Sequence, residues 1–508
     1  MSFSLPLLGG LAAVLVLLVR PLFSPLRSVP GPFLARWTDA WYLYKVWRGD
    51  FEKTNRRLHE VYGPIVRYGP NRYSVSDATA IDIIYGHGSQ FAKSSWYSAW
   101  AKPPPWTARE AGAGTLSLFN DQSISRHVHN RRQFQSTYSM TSLVSYEPYA
   151  DECADIFAQR LEEFANAGTA VDLRYWFQCY AFDVIGMITY AKRFGFLDAG
   201  EDIGGVIRQI EDFFLYGALV GIYPSLHPLL YRLKNLMAGE KGYGRNYILK
   251  FALERLNDEQ TQAKAQNSER ESFLAKFMAK NAKDPETFTN EHTIAGCLSN
   301  VSAGSDTTAI SLSAVFHFLL SNPDCLGKLQ DEVDSLHAQG QLSRNPTFKE
   351  TQQMPYLQAV MKEALRLHPI AGLPLERVVP EKGSTIGGVY FPPGTVVGLN
   401  IWVEHRNPAF FGDDADCFRP ERWLTTDAEK LRVMNRHWVP FGIGSRTCIG
   451  RHISMLEMSK LIPRIIRDFD LHPSATSSGD TWPVLNTFIV RPTDFTVKFG
   501  LRDKSAQA

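Results

Sequence analysis

Ten residues, Phe441 to Gly450 (FGIGSRTCIG), set a single cysteine among three glycines, with an arginine two positions before it. The glycines permit sharp backbone bends that a side chain would forbid. A bend of that kind can turn backbone N–H groups toward the sulfur and hold it as a thiolate. An isolated Cys is more often a small buried hydrophobe. A zinc site wants Cys and His in close spacing, and no C-x-x-C occurs among the six cysteines. The full pattern, F-x-x-G-x-R-x-C-x-G, therefore reads Cys448 as an axial thiolate ligand to a haem iron, with Arg446 placed to meet a haem propionate.

A second constellation is Ala303-Gly304-Ser305-Asp306-Thr307-Thr308. It lies in a segment that reads as one helix from about Thr289 to Ser321, closed by Asn322-Pro323 because proline cannot continue it. At 1.5 Å per residue such a helix runs roughly 50 Å. Ala303 and Thr307 stand four residues apart and share a face. Small residues at 303 and 304 would admit a flat macrocycle. Serine and threonine hydroxyls bonding back to the preceding turn would open a local notch. A third pattern, Glu363-Ala-Leu-Arg366, puts opposite charges on one helix face. It means little alone, but Phe418-Arg-Pro-Glu-Arg422-Trp423 follows it, and then the Cys448 loop.

In this order and spacing the motifs resemble the cytochrome P450 family. The resemblance implies a fold that is mainly α with small β-sheets (α+β), a large helical domain around a buried heme b whose iron is ligated by Cys448. It implies that Arg422 joins Glu363 and Arg366 in a buried network serving folding and haem retention; such a network is costly unless fully paired. It makes Thr307 and Asp306 the catalytic pair, a hydroxyl that hydrogen-bonds oxygen and an acid that relays protons from solvent. Arg377, in Leu373-Pro-Leu-Glu-Arg377, takes the place of the family's strand arginine at a propionate. In Ser125-Arg-His127-Val-His-Asn-Arg131-Arg132 the family expects tryptophan, three residues, then arginine. Arg131 takes the arginine place and His127 the tryptophan place, a departure that leaves a hydrogen-bond donor in position.

The elements around these residues follow from pattern. Helical periodicity dominates from about Met140 to His368, and strand-like runs cluster near Ile65–Val75, Ser384–Val397 and Leu485–Phe499. The polar stretch Asp258–Glu271 reads as a loop or a fraying helix. A net charge of +2 over 508 residues gives no case for nucleic-acid binding. Leu5 to Val19 is almost wholly apolar and is followed by Arg20, Arg27 and Arg36. That predicts a single-pass anchor over residues 1–20 with the rest of the chain on the cytosolic face of the endoplasmic reticulum. A cleaved signal peptide would want a basic start and a small-residue cleavage site, and neither is evident. Pro21–Pro32 then reads as a stiff hinge and 33–508 as the catalytic domain. Cysteines without paired spacing suit a reducing compartment.

The resulting expectation is a monooxygenase that hydroxylates, epoxidises or demethylates a lipophilic small molecule, in the manner of fungal secondary-metabolite enzymes near the pisatin-demethylase-like group. No dinucleotide motif follows a strand, so electrons would come from NADPH indirectly, through NADPH–cytochrome P450 reductase, with cytochrome b5 as a further donor. Arg126, Arg132, Arg436 and Arg451 are the candidate docking cations. Substrate contacts are expected in Trp100–Asp121, with its stiff Lys102–Trp106 polyproline piece, and in Phe213–Leu230, Ala303–Thr308, Ile370–Pro374 and Val484–Phe488. Two other readings stay open: a haem-thiolate isomerase or dehydratase, which would tend to lose the Asp306–Thr307 pair, and a non-catalytic haem-binding protein, which would not need it.

Overall fold

The long hydroxyl-rich segment forms the axis around which the other elements pack. In the computed structural model, which describes residues 23–103, 117–238, 243–264, 271–473 and 482–502, seven helices and seven strands position the site. They are α1 (Ile124–Gln135), α2 (Glu147–Ala167), α3 (Leu173–Tyr190), α4 (Val206–Val220), α5 (Asn290–Ser321), α6 (Pro355–Leu367) and α7 (Arg451–Asp468). The strands are β1 (Ile65–Gly69), β2 (Arg72–Val75), β3 (Ala92–Lys93), β4 (Arg377–Val378), β5 (Val396–Gly398), β6 (Val484–Thr487) and β7 (Ile489–Pro492).

Helix α5 begins at the expected residue. Thr289 is its N-cap, and a capping box with His292 satisfies two donors that a helix start leaves orphaned. Its centre is buried on nearly every side, from Ser305 and Asp306 through Thr308 to Phe316. That is why the segment carries no amphipathic stripe. Helix α3 packs along it and is buried from Phe177 to Tyr190. Helix α7 crosses the same core, and α6 lies beside both.

The strand-like runs become small sheets at one side of this helical body. One sheet has the order β1-β2-β5-β4-β3, with only β2 and β5 parallel. β6 and β7 form an antiparallel hairpin. Ala170–Asp172, Phe469–Pro473 and Thr496–Leu501 make a three-stranded sheet that ties the start of α3 to the end of the chain. The first seven residues of the polar Asp258–Glu271 stretch belong to the helix Tyr243–Lys264.

The described part of the Pro21–Pro32 stretch packs onto the body instead of standing off it. Leu26 and Val29 are buried against the small-sheet core. Arg67 of β1 donates through its backbone N–H to the Pro30 carbonyl at 2.8 Å and through its side chain to the Leu26 carbonyl at 2.6 Å. The anchor expected over residues 1–20 lies outside the described residues, and among the described residues no helix is long and apolar enough to cross a membrane. The polyproline piece also falls largely outside them, from residue 104 onward.

Candidate active site

The Cys448 loop is bent by its glycines. Gly442 and Gly444 sit at φ 73° and 62°, and a Cβ on Gly444 would come within 1.9 Å of the Tyr85 carbonyl oxygen. The loop closes on itself where the Cys448 N–H donates to the Phe441 carbonyl at 2.7 Å. The sulfur is then at the start of α7. Burial pushes its thiol up, while the N–H groups of Gly450 and Arg451 and the charges of Arg131 and Arg451 favour the thiolate. This is the arrangement the glycines were expected to produce. Cys448 is solvent-accessible although chain surrounds it closely enough to desolvate it; it therefore faces an internal cleft.

Helix α5 supplies another wall of that cleft. Tyr138 lies close enough to Cys448 for the thiolate to raise its own pKa, and its hydroxyl donates to Asn300 Oδ1, one turn before Ala303. Ala303 is exposed in the middle of a helix whose flanking Val301 and Ser305 are buried, so its face looks into open space. Thr307, on the same face, donates its hydroxyl to the Ala303 carbonyl at 2.7 Å. The expected notch is not an opened turn: α5 runs unbroken through 303–308, and the hydroxyl bonds add to the ladder without breaking it. Gly304 does not serve the cleft either. Its Cβ position lies 3.2 Å from the Ile185 side chain, so its smallness lets α3 approach α5.

Asp306 is buried and turned toward α3, where the Gln178 side-chain amide donates to its Oδ1. It does not reach solvent directly. Burial pushes its carboxyl up to about 6, with Gln178 and the charges of Arg491 and Arg174 acting against the rise and Glu211 adding to it. Those charges form a chain: Glu211 pairs with Arg491 at 3.0 Å and with Arg174 at 3.9 Å, and Arg174 with Asp172 at 3.3 Å. Arg174 and Gln178 stand four residues apart on α3, which carries the chain from the acid toward partly exposed groups.

The cations expected at the propionates do converge. Arg446, Arg377 and Arg131 are joined by Lys93 of β3, and all four press on His127 of α1. Burial and these four charges push the His127 ring down to about 3, so it is neutral with one N–H to donate. Burial and Arg377 push Arg446 down to about 10, and burial with Arg377 and Arg446 pushes Lys93 well below the usual lysine range. Arg446 is oriented by the Asp121 carbonyl at 2.6 Å, and Arg377 by the Glu376 carbonyl at 2.8 Å. So many crowded cations lower one another's affinity for protons, which is the signature of a site built to receive anions. Two propionate carboxylates would meet that demand, and the residues fit a haem with its propionates on this side. Lys93 was missed in the sequence because a lysine in a two-residue strand carries no motif.

Beneath the cleft, Glu363 is fully engaged. It receives Arg366 at 2.8 and 2.9 Å, Arg422 Nε at 2.7 Å, Trp423 Nε1 at 2.9 Å and the Arg419 N–H at 3.1 Å. Arg366 also reaches the carbonyls of His405 and Ala415, each at 2.6 Å, and Arg422 that of Phe411 at 2.7 Å. His405 joins this network to the Cys448 loop. Its Nδ1–H donates to the Arg366 carbonyl and its Nε2 accepts the Val439 N–H, both at 2.9 Å. Of the four candidate docking cations, Arg126 is held by Asp121 at 2.6 Å and Arg436 pairs with Asp82. Arg132 and Arg451 are exposed.

A thiol under helix N–H groups, a small-residue helix face across a cleft and a cationic rim define the haem-thiolate class of proteins. The chain belongs to the cytochrome P450 family, whose match covers residues 30–499; it is an oxidoreductase family whose members hold haem through a cysteine thiolate. Similar proteins include a cytochrome P450 monooxygenase of Aspergillus terreus, 38% identical over 452 residues, 88% of this chain and 90% of the relative. A pisatin demethylase of Fusarium vanettenii is 38% identical over 470 residues, 91% of this chain and 88% of the relative. The monooxygenase cicH of Emericella nidulans is 36% identical over 481 residues, 94% of each chain.

Proposed function

We propose that this chain is a membrane-anchored monooxygenase of fungal secondary metabolism, which inserts one atom of O2 into a lipophilic small molecule with electrons drawn from NADPH through a reductase. The observation that carries this reading is Cys448, under the N–H groups of Gly450 and Arg451, linked through Tyr138 and Asn300 to the helix α5 that bears Ala303 and Thr307. Haem bound at Cys448 would supply oxygen activation, which consumes two electrons and two protons for each oxygen atom inserted. Cys448 would hold the group, Arg446, Arg377 and Lys93 would receive its carboxylates, His127 would donate to them, and Arg131 favours the thiolate.

Thr307 offers a hydroxyl whose proton can leave its bond to the Ala303 carbonyl and be given to an acceptor in the cleft. Asp306, pushed up to about 6 by burial, can take and give a proton near neutral pH, as a general acid must. Retention of both groups favours oxygen chemistry over an isomerase or dehydratase. Residues 1–20 act as the anchor in the endoplasmic reticulum membrane, with the catalytic body on the cytosolic side. Arg132 and Arg451, both exposed, are the cations left to meet an acidic reductase.

The test is the carbon monoxide difference spectrum of the reduced protein, followed by NADPH and oxygen consumption in vesicles containing reductase. The wild type should give the thiolate-type Soret band and Cys448→Ala should lack it. Loss of nothing on that substitution would overturn the reading. Consumption of NADPH without dependence on O2 would overturn the monooxygenase assignment.

A further inference from the structure

Two neighbouring residues at the end of a short helix grip the chain just before it enters the Cys448 loop. The helix Ile401–Glu404 is capped by Asn400, whose Oδ1 accepts the Trp402 N–H at 3.0 Å. It is fastened to the core where Trp402 Nε1 donates to the Pro369 carbonyl at 2.9 Å. Its last residue, Glu404, accepts the His437 Nδ1–H through Oε1 at 2.5 Å. The next residue, His405, accepts the Val439 N–H at 2.9 Å. Trp438 between them is extended, at φ −84° and ψ 96°, so 437 and 439 present one side of the chain. Trp438 turns to the other side, where its indole N–H donates to the Lys362 carbonyl at 2.9 Å.

The His437 contact is fixed from several directions. Its ring lies parallel to that of Phe410, with centroids 3.5 Å apart and planes 7° from each other. The second oxygen of Glu404 accepts the Ser76 hydroxyl at 3.1 Å, and Ser76 in turn accepts Asn407 Nδ2 at 3.4 Å. Glu404 and His437 are both buried. Two apolar side chains of similar volume would fill such a place at less cost. What the polar pair adds is direction, because a hydrogen bond forms only within a narrow range of distance and angle, whereas apolar burial is not directional.

That direction reaches the sulfur in few steps. The Val439 carbonyl accepts the Gly442 N–H at 3.0 Å, and the Phe441 carbonyl accepts the Cys448 N–H at 2.7 Å. Residues 437 to 441 therefore set the base on which the loop closes. Segment 76–86 supports the same loop at two further points: Asp82 pairs with Arg436, and the Tyr85 carbonyl lies against Gly444. Glu404 and His437 stand 33 positions apart and both lie outside the cysteine motif.

We propose that Glu404 and His437 form a positioning pair for the thiolate loop: the bond between them fixes residues 437–441 and, through the Phe441 carbonyl, the depth at which Cys448 presents its sulfur. Both residues act on the sulfur through the backbone. The proposal rests on the haem-thiolate reading above and adds the pair that holds its ligand in place.

The test uses the full-length haem-loaded protein and reads two quantities for each variant. One is the ratio of the thiolate-type carbon monoxide band to the displaced-ligand form, and the other is the denaturation midpoint. Glu404→Leu leaves the His437 N–H buried without its acceptor and should lower both. A lost tie worth one hydrogen bond shifts the band ratio about fivefold. Glu404→Gln keeps a carbonyl for the His437 N–H and should hold the ratio within about twofold of wild type. The double variant Glu404→Leu with His437→Leu is decisive, and it stays so if the single leucine variant does not fold. It removes both polar groups, so the midpoint should return toward wild type while the band ratio stays shifted. A ratio restored together with the midpoint would make the pair merely structural and overturn the proposal, as would an unchanged ratio in Glu404→Leu. The wild type separates the two levels. Absence of its thiolate-type band defeats the haem-thiolate reading, whereas a normal wild-type band that none of these variants alters defeats this proposal alone.

Discussion

The side-chain amide of Gln178 donates to Oδ1 of Asp306 across the contact between α3 and α5. The bond fixes a buried acid at the back of the helix whose front carries Ala303 and Thr307, and it joins that acid to the charges of Arg174, Glu211 and Arg491. Asp306 is protonated more readily in the folded chain than in the unfolded one, so folding favours the neutral acid. The stability this gives is full below pH about 4, the unfolded value, and is lost as pH rises through about 6. Asp306→Asn should therefore gain stability at pH 7 relative to wild type, on the order of 3 kcal/mol, and no gain at pH 4. Denaturant melts at the two pH values check it. Turnover should fall in the same variant, and Gln178→Leu should move the pH optimum upward, because the carboxylate loses a donor that favours its charged form.

Thr307 holds its proton in a bond to the Ala303 carbonyl at 2.7 Å, and breaking that bond frees it for the cleft. Removing the hydroxyl leaves the helix intact, since the backbone ladder of α5 does not depend on it. Thr307→Ala is expected to load haem and bind substrate as wild type does while diverting a large share of NADPH electrons to hydrogen peroxide. The ratio of product to NADPH consumed, measured with peroxide release, decides the matter; unchanged coupling would count against the role of this hydroxyl.

Glu363 is where the ion network is most exposed to a single loss. Two buried guanidiniums, an indole N–H and a backbone N–H all converge on its two oxygens. Glu363→Ala strands Arg366 and Arg422 as buried charges, which costs about 3–5 kcal/mol. The expected result is protein recovered with little haem and a lower denaturation midpoint. Glu363→Gln, which keeps the shape and half the acceptors, should lie between. Full haem content in the alanine variant would show that the network is not what holds the cleft floor.

The Cys448 loop, the Glu363–Arg366–Arg422 network and the bounds of α5 are legible in the chain because each depends on spacing along one segment. What was not legible depends on residues that meet only in space. Lys93, Gln178 and His405 carry no motif and reach their partners across 26 to over 300 positions of sequence. Gly304 shows a different failure. A helix turns about 100° per residue, so 303 and 304 cannot face the same wall; that periodicity was available and points Gly304 at α3. His127 illustrates a departure absorbed by context, for a ring crowded by four cations stays neutral and keeps the donor that tryptophan would supply.

Gly444 tests the loop without touching the sulfur. Its φ of 62° disfavours any side chain, and its Cβ position lies 1.9 Å from the Tyr85 carbonyl oxygen. An alanine there must push the loop off the Tyr85–Gly86 backbone, so Gly444→Ala should weaken the thiolate-type carbon monoxide band in favour of the displaced-ligand form. Gly442→Ala has more room, its nearest neighbour being 3.9 Å away. It bears only the backbone cost of about 1–2 kcal/mol, and should keep the band. Identical spectra for the two variants would remove the Tyr85 contact as the cause.

His405 couples the ion network to the same loop through its two ring nitrogens, donating to the Arg366 carbonyl and accepting from the Val439 N–H. Only the neutral tautomer with its proton on Nδ1 makes both bonds; a second proton would set two donors face to face. Burial, with the charges of Arg366, Arg406 and His437, keeps the ring well below the usual histidine range. The sign follows: the folded state favours the neutral ring, so its contribution is present above the unfolded value near 6.5 and is lost as pH falls below it. Wild-type protein should release haem progressively on acidification below about pH 6, read by loss of the Soret band. His405→Leu removes both the titration and the bonds. It should hold haem less firmly at pH 7.5, yet its loss on moving to pH 5 should be smaller than that of wild type. An acid-induced loss of the same size in both would assign the effect to other buried histidines, such as His368, which burial pushes down to about 3.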